Sequence, residues 1–353
     1  MITLASQLLE KTVSSNASDV FIVAGLPVSM RLNGIIVHED EERLKPNDTA
    51  EIIKQIYQMA NERDMQTLLA TGDDDFSFSI PGLSRFRVSA FKQRGSLSAV
   101  IRVISFSLPD AKEQGIPQQV IDFADFSKGL VLVTGPAGSG KSTTLACLVN
   151  QINHTMEKHI ITLEDPIEYL HRHDKSIVSQ REISIDTLSY VNALRASLRQ
   201  SPDVILLGEM RDYETMDVAM TAAETGHLVF STLHTIGAAN TIDRIIDVFP
   251  ANQQRQIAVQ LSMVLQAVIS QQLVPALDGT QVPAFEIMTV TPAIRNMIRD
   301  NKIPQIDGTV YSANKEDMHS MDYSLQLLVR EGTVAPETAL SYASNPEMLK
   351  KKL

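Results

Sequence analysis

The sequence predicts an α/β protein of two domains followed by a helical tail. Three observations carry that expectation. The chain has 353 residues, enough for about two domains at roughly 150 residues each. From about residue 119, apolar runs of strand length alternate with helical patterns, which predicts a mostly parallel sheet with helices on both faces. The first hundred residues instead hold short alternating strands and two helical patterns, the signature of a small mixed α/β domain. The expected boundaries are 1–108 for the first domain, 109–118 for a linker containing Gly115-Ile-Pro117, 119–285 for the parallel core and 286–353 for the tail.

In the first domain, residues 3–13 read as an amphipathic helix with Thr3 as its cap and Leu4, Leu8 and Val13 on the apolar side. Val20 to Ala24 reads as a strand. Val28–Leu32 and Ile35–Val37 flank Asn33-Gly34, a type I′ hairpin signal. Asp48-Thr-Ala-Glu51 looks like a capping box, and Ile52, Ile53, Ile56 and Met59 follow at helical spacing. Phe76, Phe78 and Ile80 alternate with serines. After Pro81-Gly82, Phe86, Val88 and Ala90 alternate with Arg85, Arg87 and Ser89, and Val100–Ile104 is a further strand. Between Phe76 and Pro109 there is no acid but five basic residues: Arg85, Arg87, Lys92, Arg94 and Arg102. This is either a solvated basic face or a surface that meets phosphate across a subunit boundary, where arginines act as fingers.

The second domain opens on Leu130–Val133, an apolar strand, then Gly135-Pro-Ala-Gly138-Ser-Gly140-Lys141-Ser142-Thr143, then helix-forming sequence. Strand, glycine loop and helix in that order make a phosphate-binding P-loop. Gly135, Pro136, Ala137, Gly138, Ser139 and Gly140 present backbone N–H groups to phosphate oxygens at a helix N-terminus. Lys141 reaches the β- and γ-phosphates of ATP, and the Ser142 hydroxyl is placed to ligate Mg²⁺. Further strands are His159–Leu163, Asp203–Glu209 and the segment within Thr225–Thr235, while Asp186 is expected to cap a helix through Leu188, Val191, Leu194 and Leu198. Ligands of open α/β sheets sit beyond the carboxyl ends of the strands. Glu164, Glu209 and His234 fall at such ends. Glu209 takes the position of the metal-facing acid after an apolar strand, and Glu164 that of a carboxylate orienting water. Ile257, Leu261, Val264, Leu265, Val268 and Ile269 form a helical stripe, and the tail after about Phe285 reads as helical, with Thr291-Pro292 starting one helix.

Composition narrows the classes. Apolar residues are 44% of the chain, the net charge is −11, and there is one cysteine and no tryptophan. The acidic balance and the scarcity of aromatics weigh against nucleic-acid binding. A lone Cys147 fits a reducing cytosol, and its ordinary role is a small buried hydrophobe. No apolar run approaches the ~18 residues of a membrane span, and no signal peptide is expected. Histidine pairs His171/His173 and His227/His234 are weak candidates for a metal site, since no further ligands complete a tetrahedral set.

Four motifs, in order and spacing, then carry a resemblance. They are Gly135–Ser142, Ile161-Thr-Leu-Glu-Asp-Pro-Ile-Glu168, Ser201-Pro-Asp-Val-Ile-Leu-Leu-Gly-Glu-Met-Arg-Asp212, and Thr225-Gly-His to Leu233-His-Thr235. Together they resemble the secretion-type ATPases of type II secretion and type IV pili. Ala293-Ile-Arg-Asn-Met-Ile-Arg-Asp300 resembles the C-terminal signature of the retraction motors among them. Ala137 stands where that family usually has Thr, and Met297 and Asp300 where it has Leu and Glu.

The resemblance implies a cytoplasmic homohexameric ring at the inner face of the membrane, working on an inner-membrane platform protein. It implies a PAS-like domain ahead of a RecA-like ATPase core, with ATP between the domains. Glu164 becomes the catalytic carboxylate and Glu209 the Walker B acid, also facing the metal. His227 and His234 couple at the γ-phosphate, and Arg85, Arg87, Arg94 and Arg102 match the arginine-bearing stretch. The expected function is a motor that retracts pili. The alternatives are a secretion or DNA-uptake ATPase, or a weakly active accessory ring.

Overall fold

The computed structural model describes residues 4–32, 34–39, 41–104, 107–313 and 318–353. Thr3 and Asn33, expected to cap the first helix and to start the first hairpin turn, lie outside them. The chain divides into two units: Met1–Ser107 with Glu168–Leu170, and Leu108–Ile167 with His171–Leu353.

The first unit runs α1 (Leu4–Ser14), β1 (Asp19–Ile22), β2 (Ser29–Leu32), β3 (Ile35–His38), α2 (Pro46–Met59), α3 (Gln66–Thr71), β4 (Asp73–Ile80), β5 (Ser84–Gln93) and β6 (Ser96–Ile104). Its sheet has the order β3-β2-β1-β6-β5-β4, with antiparallel neighbours throughout. Pleating sends alternate residues to opposite faces. Phe76 and Phe78, Phe86 and Val88 therefore meet Ile53 and Ile56 of α2 in one core. Arg87 is exposed on the other face, directly opposite Arg102. The β5–β6 hairpin turns on Arg94 and Gly95, both at positive φ (49° and 80°), the geometry of a type I′ turn.

Two details depart from expectation. α2 begins at Pro46, so Asp48 is not its cap. Asp48 sits in the first turn and accepts from the backbone N–H of Lys45 at 2.7 Å. On α1 the buried residues are Ala5, Leu8, Leu9 and Thr12, while Leu4 stays exposed.

The second unit runs α4 (Gln118–Ile121), β7 (Gly129–Thr134), α5 (Lys141–Thr155), β8 (His159–Glu164), β9 (Ile177–Glu182), α6 (Tyr190–Ser197), β10 (Val204–Leu207), α7 (Tyr213–Glu224), β11 (Leu228–Leu233), α8 (Ala238–Val248), α9 (Gln254–Val264), β12 (Leu265–Pro275) and β13 (Gln281–Thr289). Then follow α10 (Pro292–Arg299), α11 (Pro304–Ser312), α12 (Met321–Arg330), α13 (Pro336–Tyr342) and α14 (Pro346–Lys350). The sheet order is β13-β12-β7-β11-β10-β8-β9, parallel except for the antiparallel edge strand β13. Strand β7 is buried along its whole length. Its Leu130 and Leu132 enter the cluster formed with α6–α10, while Val131 and Val133 enter the cluster formed with α4 and α5. Apolar residues on both faces are what a central parallel strand requires.

Three expectations fail here for physical reasons. The stripe from Ile257 to Ile269 is not one helix: α9 stops at Val264 and the chain turns directly into β12. All six stripe residues are buried, but a strand apolar on both faces has no period that separates it from a helix. Asp186 does not cap α6. Ser189 does, accepting from Asn192, while Asp186 accepts from the Glu182 N–H and Leu188 is exposed outside the helix. The tail does not turn helical at Phe285, because β13 runs through it to Thr289. The start of α10 matches expectation, with Thr291 accepting from the Ile294 N–H and Pro292 in the first turn. The Arg295 guanidinium then binds the carbonyls of Ser262 and Met263, capping the end of α9.

In the first unit, buried Asp74 accepts from the Tyr57 hydroxyl at 2.8 Å and from Arg63 at 2.9 and 3.0 Å. This staples the end of α2 to β4. Replacing Asp74 by Ala leaves a buried hydroxyl without its acceptor and should cost about 2 kcal/mol, after discounting the half-exposed arginine. Urea denaturation followed by tyrosine absorbance tests this. An unchanged midpoint would remove the staple from the account.

Candidate functional site

The parallel sheet brings the candidate residues together at one edge. Each strand ends beside its neighbour: Leu233 pairs with Thr134, Leu207 with Ser231, and Leu207 with Leu163. The order along the edge is therefore phosphate loop, His234, Glu209, Glu164, each step about 4.8 Å. Sequence reading placed all four at strand ends, and the topology makes them neighbours.

The loop after β7 has the form that phosphate requires. Gly140, at φ 87°, precedes the first residue of α5. Gly135 is at φ 141°, and a Cβ built there would lie 2.1 Å from the Gln271 carbonyl oxygen. Lys141 is nearly buried, and its Nζ donates to the Gly135 and Pro136 carbonyls at 2.9 and 2.8 Å. Its charge is thus held against the loop. Ser139 is buried, and its hydroxyl has no hydrogen-bond partner among the described residues. A helix N-terminus, a captive ammonium, an unused hydroxyl and a glycine cradle form a donor set for a polyphosphate.

Glu209 is clamped. The Arg211 guanidinium binds Oε1 at 2.7 Å, and His234 Nε2 lies 3.4 Å from Oε2. The Glu209 bond and charge raise the Arg211 pKa further. Thr232 donates to the Gly208 carbonyl at 2.6 Å, which ties β11 to the turn carrying Glu209. Glu164 accepts from the Thr162 hydroxyl at 2.6 Å and from Gln180 at 3.2 Å. Hard oxygen donors on Ser142 and Glu209 suit Mg²⁺, which would supply charge neutralisation to bound phosphates.

His227 is not part of this edge. It precedes β11, and its Nδ1 hydrogen-bonds the Ala222 carbonyl at 2.9 Å. Six strand residues, hence seven steps, separate it from His234, about 23 Å at roughly 3.3 Å each. The spacing Thr225-Gly-His to Leu-His-Thr spans a whole strand, so its two histidines lie at opposite ends. Among the described residues no cluster of three His, Cys, Asp or Glu could hold a metal ion. His173 Nδ1 accepts from the Val178 N–H. Burial lowers the His171 pKa to about 4, so it is neutral near pH 7. Burial, with a smaller push from Asp110, raises the Cys147 thiol to about 11, which fits a packing role.

The arginines belong to the first unit. Arg102 donates to the buried Asp19 at 3.0 Å, which Arg31 also approaches at 3.4 Å. Arg94 occupies its hairpin turn, Arg87 is exposed, and Arg85 Nη1 reaches Ser79 at 3.4 Å.

Sequence reading missed Tyr190. Its hydroxyl lies 2.8 Å from the point where a Cβ on Gly208 would stand. Burial, and then the carboxylates of Asp165, Glu209 and Glu164, push its phenol well above the ordinary tyrosine range. It remains a protonated donor among acids. No motif spacing announces it, because only the fold brings α6 beneath the turn after β10.

A sequence model of the type II/IV secretion system protein family matches residues 1–327. The chain belongs to that family. It is 44% identical over 342 residues to the type IV pilus retraction ATPase PilT of Pseudomonas aeruginosa, covering 97% of this chain and 98% of that protein. It is 47% identical over 318 residues to a twitching motility protein of Neisseria gonorrhoeae, covering 89% and 85% of the two chains. The crystal structure of the pilus retraction motor PilT with bound ADP superposes with a TM-score of 0.90 at 43% identity, over 99% of this chain and 100% of the other. The chain thus has the fold of a secretion ATPase over nearly its whole length.

Gly208→Ala should push its methyl into the Tyr190 hydroxyl and lower the melting temperature by several degrees, the scale of a 1–2 kcal/mol overpacking cost. Adding Tyr190→Phe removes the obstructing oxygen and should recover about half of that loss or more. Thermal denaturation of both variants decides it. No recovery in the double variant would mean that the close approach is not the source of the cost.

Proposed function

We propose that this protein is an ATP-hydrolysing motor that powers type IV pilus retraction and acts as a homohexameric ring. The observation that carries the reading is the row of phosphate loop, His234, Glu209 and Glu164 along one sheet edge. The likeness to the retraction ATPase over nearly the full length of both chains supports the choice of cargo. No helix among the described residues is long and apolar enough to cross a membrane. In this reading the ring docks on a platform protein of the inner membrane.

The chemistry follows from the residues. The loop Gly135–Thr143 wraps the triphosphate of ATP through backbone N–H groups, and Lys141 neutralises the β- and γ-oxygens. Ser142 and Glu209 would hold Mg²⁺. Glu164, fixed by Thr162 and Gln180, is the carboxylate that orients the attacking water. His234, already in contact with Glu209, reads the γ-phosphate end. Hydrolysis changes the charge that Glu209, Arg211 and His234 must balance, and that change is the signal to the rest of the subunit. Arg87, Arg94 and Arg102 are the fingers in this scheme, supplied by the first domain across a subunit boundary. His227, at the far end of β11, supports that strand.

The deciding experiment is steady-state ATP turnover across protein concentration, wild type beside Glu209→Gln. Turnover per subunit should rise as the ring assembles. The variant should lose about a hundredfold or more, in the range of a lost charge-stabilising group. Turnover near background in both, with ATP still bound, would overturn the motor reading and favour an accessory ring. In cells, Arg299→Ala in the tail motif should abolish retraction while leaving turnover within about twofold, since its guanidinium contacts Asn296 and Asp300 on the surface. Normal retraction in the variant would mean that Arg299 is not needed for it, whereas normal retraction in a strain lacking the protein would point to another cargo for the same engine.

A further inference from the structure

One residue outside every recognised motif meets the phosphate loop at two of its glycines and the helix that follows at one threonine. Gln271 lies on β12, one position past the last β12–β7 pair, Ser270 with Thr134, and so stands level with Gly135. It is 3% exposed. Its side-chain Oε1 accepts from the Thr144 hydroxyl at 2.7 Å, in the first turn of α5. Its backbone oxygen occupies the space that a side chain on Gly135 would need. Its Nε2 lies 2.8 Å from the point where a Cβ on Gly140 would stand. Gln271 therefore meets the first glycine of the loop, the last glycine, and the helix that follows.

We infer that Gln271 is a positioning residue for nucleotide binding, fixing the separation between the two ends of the phosphate loop. This rests on the nucleotide-binding reading given above and deepens it. Two physical demands act on the side chain. It must accept the Thr144 hydroxyl, because a buried hydroxyl without an acceptor is costly. It must also be neutral, because an anion under the loop would repel the phosphates that the loop attracts. An amide meets both demands. A carboxylate of the same length meets only the first. A thioether meets only the second. The same contacts give Gly135 and Gly140 a second reason to be glycine: besides freeing backbone for phosphate, they make room for Gln271.

The test measures the affinity of the full-length chain for a fluorescent ATP analogue. Gln271→Glu keeps the Thr144 hydrogen bond, so the fold should stand. Relative to wild type at the same pH, its affinity should be about tenfold lower near pH 8 and should recover toward pH 6, as the buried carboxyl gains its proton. Gln271→Met and Thr144→Val should each weaken binding about three- to tenfold, and the double variant no more than the worse single one, since both remove the same contact. A merely structural role would lower the melting temperature without this pH recovery and without the coupling. Wild-type binding with unchanged affinity in all variants would overturn the inference about Gln271 alone. Failure of the wild type to bind the analogue would overturn the nucleotide reading with it.

Discussion

The site depends on one constraint: five adjacent parallel strands must end at the same edge of the sheet. β7, β11, β10, β8 and β9 are held in register by their own ladders. A shift of one residue would turn each buried face toward the wrong cluster and carry its terminal residue off the edge. The register that packs Leu130 and Leu132 against one helical layer, and Val131 and Val133 against the other, is thus the register that sets Glu209 beside His234. Stability and chemistry are set by the same pairing.

Several carboxylates that the fold takes out of water are matched by donors. Asp74 is answered by Arg63 and Tyr57, Asp19 by Arg31 and Arg102, Glu209 by Arg211 and His234. Glu286 is buried, and burial raises its pKa. Its oxygens accept from the N–H groups of Ala238 and Met321, at the starts of α8 and α12. That single side chain joins the loop after His234 to the C-terminal helices. The first two cases staple elements together. The third stands among groups able to exchange partners when a phosphate arrives.

Much of this was legible in the residues. The phosphate loop, both acids and His234 were readable because each follows an apolar strand, and strand ends are where a parallel sheet places chemistry. What escaped shares a cause. Ile257–Ile269 reads as one helix because a fully buried strand has no polar face. Asp186 is as good a cap by type as Ser189, and only the turn after β9 decides between them. Tyr190 and Gln271 sit in no motif, and their importance comes from partners far away in sequence. His227 entered the candidate site through a family motif, yet the motif runs the length of a strand and its ends cannot meet.

β3 is the outermost strand of its sheet, and Ile35, Ile36 and Val37 are all exposed on it. Among the described residues it pairs with β2 alone. A bare apolar edge invites another copy to add a strand, and neither proline nor lysine guards this one. The residues just beyond it, Glu39-Asp-Glu-Glu42, supply negative charge instead. What opposes pairing with a second copy at this edge is therefore electrostatic rather than built into the backbone. High salt would screen that guard.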